Sequence, residues 1–297
     1  MASPVIQLFK DTGLEWYEDE VPRKAASLAY YTLLSTAPLV LFSVAIAGLL
    51  FGDEAARGQI AGQISSVVGE QAATAIQSVA RSAHQSDSGT LGSIVGVVVL
   101  LVGASGVFGE LQTALNEIWS VKPKPGRGIR GFLRDRFWSF TMVLGVAFML
   151  LVSLVISTAL AALGRYLSGS LPGGEAVWQI LNFLISLAII TGLFGLIFKV
   201  VPDAEIRWRD VWVGAGFTAV LFTLGKFVLG LYLGKSTVAS SYGAAGSIVA
   251  LVVWVYYAAQ IAFLGAEFTQ VYARLFGKDI KPSPQAVAID KPAAAAR

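Results

Sequence analysis

The sequence predicts an all-α, polytopic membrane protein with six transmembrane helices and an external amphipathic helical segment between the first two. Composition is the first observation behind this prediction: 55% of the 297 residues are apolar and 14% are charged, whereas charged residues make up about a quarter of an ordinary soluble domain. The second is a set of apolar runs long enough to cross a hydrocarbon layer of about 30 Å as helices. The third is the collection of basic residues in alternate loops.

The clearest span lies at residues 91–112, directly before a basic loop. Residues 91–108 carry no charge, and six Lys or Arg residues follow between Lys122 and Arg136. Basic loops remain on the cytoplasmic side of a membrane during insertion. The pattern therefore predicts a helix that emerges into the cytoplasm at its C-terminal end.

Apolar runs bounded by polar loops predict the complete set of spans. We place the six helices at residues 25–51, 91–112, 137–163, 177–200, 211–233 and 244–267, with the last continuing beyond the span as a helix. Pro38 should kink the first helix because proline removes a backbone hydrogen bond. Residues 53–88 are too polar to span and carry apolar residues on one helical face, which predicts amphipathic helices outside the membrane.

The segments before and after the spans complete the domain organisation, in which residues 25–275 form the membrane domain. Residues 1–24 suit a short cytoplasmic helix at the membrane interface, and a disordered tail is the alternative. The apolar residues at roughly helical spacing in this segment are Val5, Leu8, Phe9 and Trp16. Residues 276–297 are rich in proline and alanine, and we expect a disordered cytoplasmic tail.

The positions of the basic residues test this topology. Of the 22 Lys and Arg residues, 17 lie in segments that share a side with the basic loop and 4 lie on the opposite side. The remaining one, Lys226, falls inside the fifth helix. This asymmetry predicts that both termini are cytoplasmic.

Three stretches resemble the YihY/BrkB family of bacterial inner-membrane proteins, with a likeness that covers most of residues 15–275. They are PRKAASLAYYTLLSTAPL in the first helix, GELQTALNEIWSV after the second, and the continuous run from Val211 to Arg274. The resemblance implies six membrane helices, an inner-membrane location and no settled activity. Members have carried the labels ribonuclease BN and virulence or serum-resistance factor, and movement of lipids or other solutes has been suggested for them. Glu110 and Glu267 match the family pattern.

The residue types in the chain argue against nuclease activity. A metal-dependent phosphodiesterase needs clustered His and carboxylate ligands, but the chain has one histidine, His84, within the external segment, and no cysteine. The acids show no metal-ligand spacing, and topology alone explains the basic loop. We therefore expect no catalytic residues, metal site, cofactor or nucleic-acid partner, and a protein that is not an enzyme.

Polar residues near the cytoplasmic ends of three helices form the main candidate site. Glu110 and Glu267 are expected at similar depth, and an ionisable group inside a membrane is costly unless it is paired or hydrated. The other candidates are Tyr30, Tyr31, Gln112, Asn116, Gln260 and Gln270. These residues either join the helices by hydrogen bonds or line a cavity that accepts a cation, a proton or the polar head of an amphiphile.

A second candidate lies in the outer half of the membrane. Lys226 either extends its ammonium group to the outer interface or contacts Asn182 or an anionic lipid head group. Asn182 lies at a similar predicted depth on the fourth helix.

These features leave two classes of function open. The first is a transporter or flippase-like protein for a lipid, another amphiphile or an anionic solute, without an ATP-binding Walker motif of its own. The second is a non-transporting membrane scaffold that contributes to envelope integrity. Membrane lipids are the expected partners, and small-residue spacings such as Gly230 to Gly234 permit a homo-oligomer.

Overall fold

The computed structural model describes residues 3–35, 106–125, 174–235, 246–277 and 280–289. The expected kink at Pro38, the external helices at 53–88 and the third span at 137–163 lie outside these ranges and stay predictions.

Three helices in the described ranges have the length and apolar composition of membrane spans. They are α4 (Gly174–Val200), α5 (Trp208–Lys235) and α6 (Gly246–Phe276). Their bounds lie within a few residues of the predicted fourth and fifth spans, and α6 includes the predicted helical continuation beyond the sixth. The helical membrane class is therefore confirmed for this part of the chain.

Helix α5 packs between α4 and α6, and its contact with α6 is built from a matched pair of glycines and threonines. A Cβ atom on Gly214 would overlap the side chain of Thr269, and one on Gly265 would overlap that of Thr218. Each threonine hydroxyl donates to a carbonyl of its own helix, to Gly214 at 2.7 Å and to Gly265 at 2.6 Å. Both helices carry the same sequence pattern, Gly-Ala-x-Phe-Thr. Its glycine lets the two backbones approach closely, and the hydroxyl of its threonine is paired with a carbonyl of its own helix.

The N-terminal segment forms helix α1 (Pro4–Glu18). The Oγ atom of Ser3 accepts a hydrogen bond from the backbone N–H of Ile6 at 3.3 Å, and Pro4 occupies the first turn, where its missing N–H costs nothing. Glu20 has a φ of 50° and separates α1 from α2 at residues 21–35. Residues 4–18 are thus helical, and their place at the cytoplasmic interface of the membrane stays a prediction.

Helix α3 at residues 106–118 prolongs the predicted second span beyond Gln112. Ser120, with a φ of 53°, turns the chain into strand β1 (Val121–Pro123). The Nζ atom of Lys24 on α2 lies 2.8 Å from Oε2 of Glu117 on α3, and the Lys24 side chain is only 11% exposed. This ion pair joins the two helices near the turn.

Two short antiparallel ladders correct the all-α prediction. Strand β1 pairs with β4 (Ala286–Ala288), and β2 (Ala204–Glu205) pairs with β3 (Lys281–Pro282). The expectation of a disordered tail is wrong for residues 280–289, which we name the C-terminal strap. Its order comes from pairing with segments far away in sequence, so local composition carried no signal of it.

The strap ties two loops together at one end of the helices. The backbone N–H of Lys124 donates to Gln285 O at 3.0 Å, and that of Ile289 donates to Ser120 O at 2.7 Å. On the other side, the N–H of Ser283 donates to the backbone oxygen of Asp203 at 2.9 Å. The strap therefore bridges the exit of α3 and the α4–α5 loop.

One apolar core connects most of these elements. Val21, Leu115, Phe198, Val211 and Phe263 have no exposed surface and come from α2, α3, α4, α5 and α6 in turn. Burial of this many large side chains stabilises the end of the helices that carries the strap.

Candidate functional site

Three carboxylate side chains come together where α1 meets α6. Glu267 on α6 has no exposed surface, and Glu15 and Asp19 from α1 are partly buried. Each of the three residues contributes a carboxylate oxygen to a group whose atoms lie within 4.8 Å of one another, close enough to hold one metal ion. We call Glu15, Asp19 and Glu267 the acidic group.

Like charges at this range repel one another, so a positive charge nearby stabilises the acidic group. Arg274 supplies one compensating charge: its Nη1 atom lies 2.8 Å from Glu15 Oε1, and its Nη2 atom lies 3.9 Å from Asp11 Oδ2. Carboxylate oxygens are also the ligands that hard cations prefer. The acidic group therefore has the chemistry for a proton or a hard cation.

Apolar contacts hold α1 in this position. Leu8 packs with Phe268 and Val271 on α6. The ring of Phe9 lies 6.1 Å from that of Phe217 and 5.9 Å from that of Phe268, which themselves stack at 4.0 Å. This packing carries Glu15 and Asp19 to Glu267, although about 250 residues separate them in sequence.

The sequence placed Glu267 beside Glu110 but did not identify Glu15 or Asp19. Glu110 is partly buried on α3 and is not a member of the acidic group. The spacing of the apolar residues of α1 predicted a helix, and the charged residues between them were the available signal. The sequence did not show which span the charges would face.

Gln112 and Asn116 contact a partner that the sequence did not suggest. Asn116 Nδ2 donates to Asp203 Oδ2 at 3.0 Å, and the Asp203 backbone N–H donates to Asn116 Oδ1 at 2.7 Å. Gln112 Nε2 makes a longer contact of 3.4 Å to the same carboxylate oxygen. Both side chains thus connect α3 to the α4–α5 loop, which also binds the strap through Ser283.

The same loop is fixed on its other side by charged residues. Arg207 donates two hydrogen bonds to Asp210 in the first turn of α5, at 2.9 and 3.0 Å, and these bonds raise the pKa of the Arg207 guanidinium above its ordinary value. Lys199 Nζ donates to the carbonyl of Ile206 and lies 5.8 Å from the centre of the Trp208 ring. Both interactions hold the turn between two candidate spans.

The remaining candidates on α6 and α2 have separate surroundings. Gln260 Nε2 donates to the hydroxyl of Tyr256 at 2.7 Å on the same helix. The Oε1 atoms of Gln260 and Gln270 are buried and have no hydrogen-bond partner among the described residues. Tyr30 is 60% exposed, and the Tyr31 ring lies against Gly106 of α3.

Lys226 lies partly buried on α5. The side chain of Asn182 falls outside the described residues, so the expected contact between the two stays a prediction.

Comparisons with known proteins assign the chain to a family. Residues 14–290 match the family described as "Virulence factor BrkB". A "UPF0761 membrane protein" of Delftia acidovorans is 31% identical over 256 residues, which cover 85% of this chain and 58% of that protein. A "UPF0761 membrane protein" of Tolumonas auensis is also 31% identical, over 85% of this chain and 81% of its own length.

The chain spans somewhat over half the length of several curated relatives that it matches. No solved structure shows a significant match. The family match extends across the strap and the acidic group. By this match and the two relatives, the chain belongs to the BrkB family of integral membrane proteins.

Proposed function

We propose that this chain is a transporter or flippase-like protein that moves a lipid, another amphiphile or an anionic solute. In the proposed transport cycle, the acidic group binds a proton or a cation. Glu267 carries the proposal. Its carboxyl group is completely buried in a helix long and apolar enough to span a membrane, and two further carboxyl groups lie beside it. Ionisable residues in spans are costly to bury and are found at ion and substrate pathways.

The proposal includes a location and a topology. It places six spans in the bacterial inner membrane with both termini in the cytoplasm, supported by the 17 to 4 division of basic residues. The acidic group and the strap then lie towards the cytoplasm. In this proposal the protein is not an enzyme, binds no nucleic acid, and has membrane lipids or a second copy of itself as partners.

Reconstitution into liposomes tests the proposal. The wild-type chain should move fluorescent phospholipid between leaflets faster than protein-free vesicles do. Glu267→Gln should lower the rate because the amide keeps the shape but neither ionises nor binds a cation well. Glu18→Gln, on the exposed side of α1, is the matched control and should leave the rate unchanged. Equal rates in wild-type and protein-free vesicles would contradict lipid transport, and the same assay with a labelled anion tests the other substrate class.

A second candidate is the membrane scaffold, and close packing favours it. The glycine–threonine contacts of α5 with α6 and the bonds of Asn116 and the strap to the α4–α5 loop lock several helix ends together. A scaffold predicts no flux of any tested substrate, together with loss of envelope integrity when Gly214→Val disrupts this packing in cells.

A further inference from the structure

We propose that the outer face of α1 binds the surface of the lipid bilayer. Helix α1 has two different sides: Leu8 and Thr12 are buried, whereas five large apolar side chains of the helix are at least half exposed, among them Val5 and Phe9. The other three, Ile6, Leu14 and Tyr17, lie opposite Leu8 and Thr12 on the outer face and are 61%, 50% and 77% exposed. An amphipathic helix with such a face is the usual element that lies in a membrane interface.

The charges of α1 are arranged to suit this partner. Asp11 and Glu15 both face Arg274 of α6, which directs their negative charge away from the outer face. Lys10 is exposed and stands four residues from both Ile6 and Leu14, so it shares their face. A lysine among apolar residues places its stem along acyl chains and its ammonium group among lipid phosphates.

The outer face of α1 also continues a surface that a membrane covers. Phe9 is 53% exposed and contacts Phe217 of α5. Phe217 belongs to a stripe of apolar residues at helical spacing on α5, a helix with the composition of a membrane span. The other side chains of the stripe are at least a third exposed. These members are Val213, Val220, Leu224, Val228 and Leu231. Because the stripe faces lipid in an integral membrane protein, the adjoining face of α1 meets the same bilayer at its edge.

The lack of cysteine in the chain allows a direct test. Nitroxide labels are placed on the single-cysteine variants Ile6→Cys and Leu14→Cys, with Glu205→Cys at the exposed position in strand β2 as the control. The full chain is reconstituted in nanodiscs of phosphatidylethanolamine and phosphatidylglycerol. We expect labels at 6 and 14 to collide readily with molecular oxygen and to be protected from a water-soluble nickel chelate, and the label at 205 to show the reverse.

Nickel accessibility at 6 and 14 equal to that at 205 would overturn the proposal. Dipolar broadening between labels on separate copies would also overturn it, because a second chain would then cover this face. Size-exclusion profiles and far-UV circular dichroism confirm the fold of each variant. The result does not depend on transport, so failure of this proposal is distinguishable from failure of the proposed function.

Discussion

At the scale of single residues, small side chains decide how closely the spans approach. Gly214 and Gly265 each receive a threonine of the facing helix, whereas Gly216, two residues along α5, has nothing within 4 Å of the position of a Cβ. Gly214 and Gly216 are only two residues apart, yet a side chain of α6 packs against the first and not against the second. The sequence of α5 shows three small residues in a row, Gly214 to Gly216, but only the pairing with α6 identifies Gly214 as the one that receives a threonine.

Gly214→Ala should destabilise the protein because the added methyl group has no room beside Thr269. Overpacking of this kind typically costs about 1–3 kcal/mol. Thermal unfolding in detergent measures the effect, and Gly216→Ala is the matched control that should unfold at the wild-type temperature or slightly above it. Equal midpoints for the two variants would show that the close α5–α6 contact is absent in solution.

Asn116→Leu should also destabilise the protein, because it leaves the backbone N–H and the carboxylate of Asp203 without their closest partner. An unsatisfied polar group that is buried costs about 1–3 kcal/mol. Gln112→Leu should cost less, since the Gln112 contact is longer at 3.4 Å. Chemical denaturation compares the two variants, and a larger loss for Gln112→Leu would contradict the ranking.

At the scale of elements, the C-terminal strap makes part of the tail an ordered element of the fold. Its two ladders connect β1 after α3 with β2 between α4 and α5, so three helix ends are held together by a segment outside the spans. Ala286 is 5% exposed and joins the main core. The strap thus contributes apolar contacts as well as backbone hydrogen bonds.

Truncation after residue 279 should lower the unfolding temperature and expose the α4–α5 loop to proteases, because Asp203 and Lys124 lose their bonds to the strap. Truncation after residue 290 retains the strap and should behave as the full chain does. Limited proteolysis followed by mass spectrometry locates the new cleavage sites. Identical digestion of the two truncated chains would mean that the strap does not protect this loop.

At the scale of the whole molecule, the sequence predicted the features that depend on composition. The spans α4, α5 and α6 follow from long apolar runs, and helix α1 follows from the roughly helical spacing of its apolar residues. The strap was not predictable, since its strands contain two or three residues each and pair with segments about 80 to 165 positions away.

The same limit applies to the acidic group. Glu267 stood out because it interrupts an apolar helix, whereas Glu15 and Asp19 are ordinary surface residues until α1 docks on α6. The side chains that bring α1 there, Leu8 and Phe9, were part of the predicted apolar face. The sequence identified this face but not the helix that it contacts.

The central claim is that the acidic group binds a proton or a cation during transport, and the pH dependence of flux in liposomes tests it most directly. Because the proposed cycle includes binding of a proton or a cation at these carboxylates, we expect the wild-type rate to change with pH. Glu267→Gln removes the buried carboxylate and should give a lower rate that changes little with pH, while Glu18→Gln should follow the wild-type curve. Parallel pH curves for wild type and Glu267→Gln would contradict the claim.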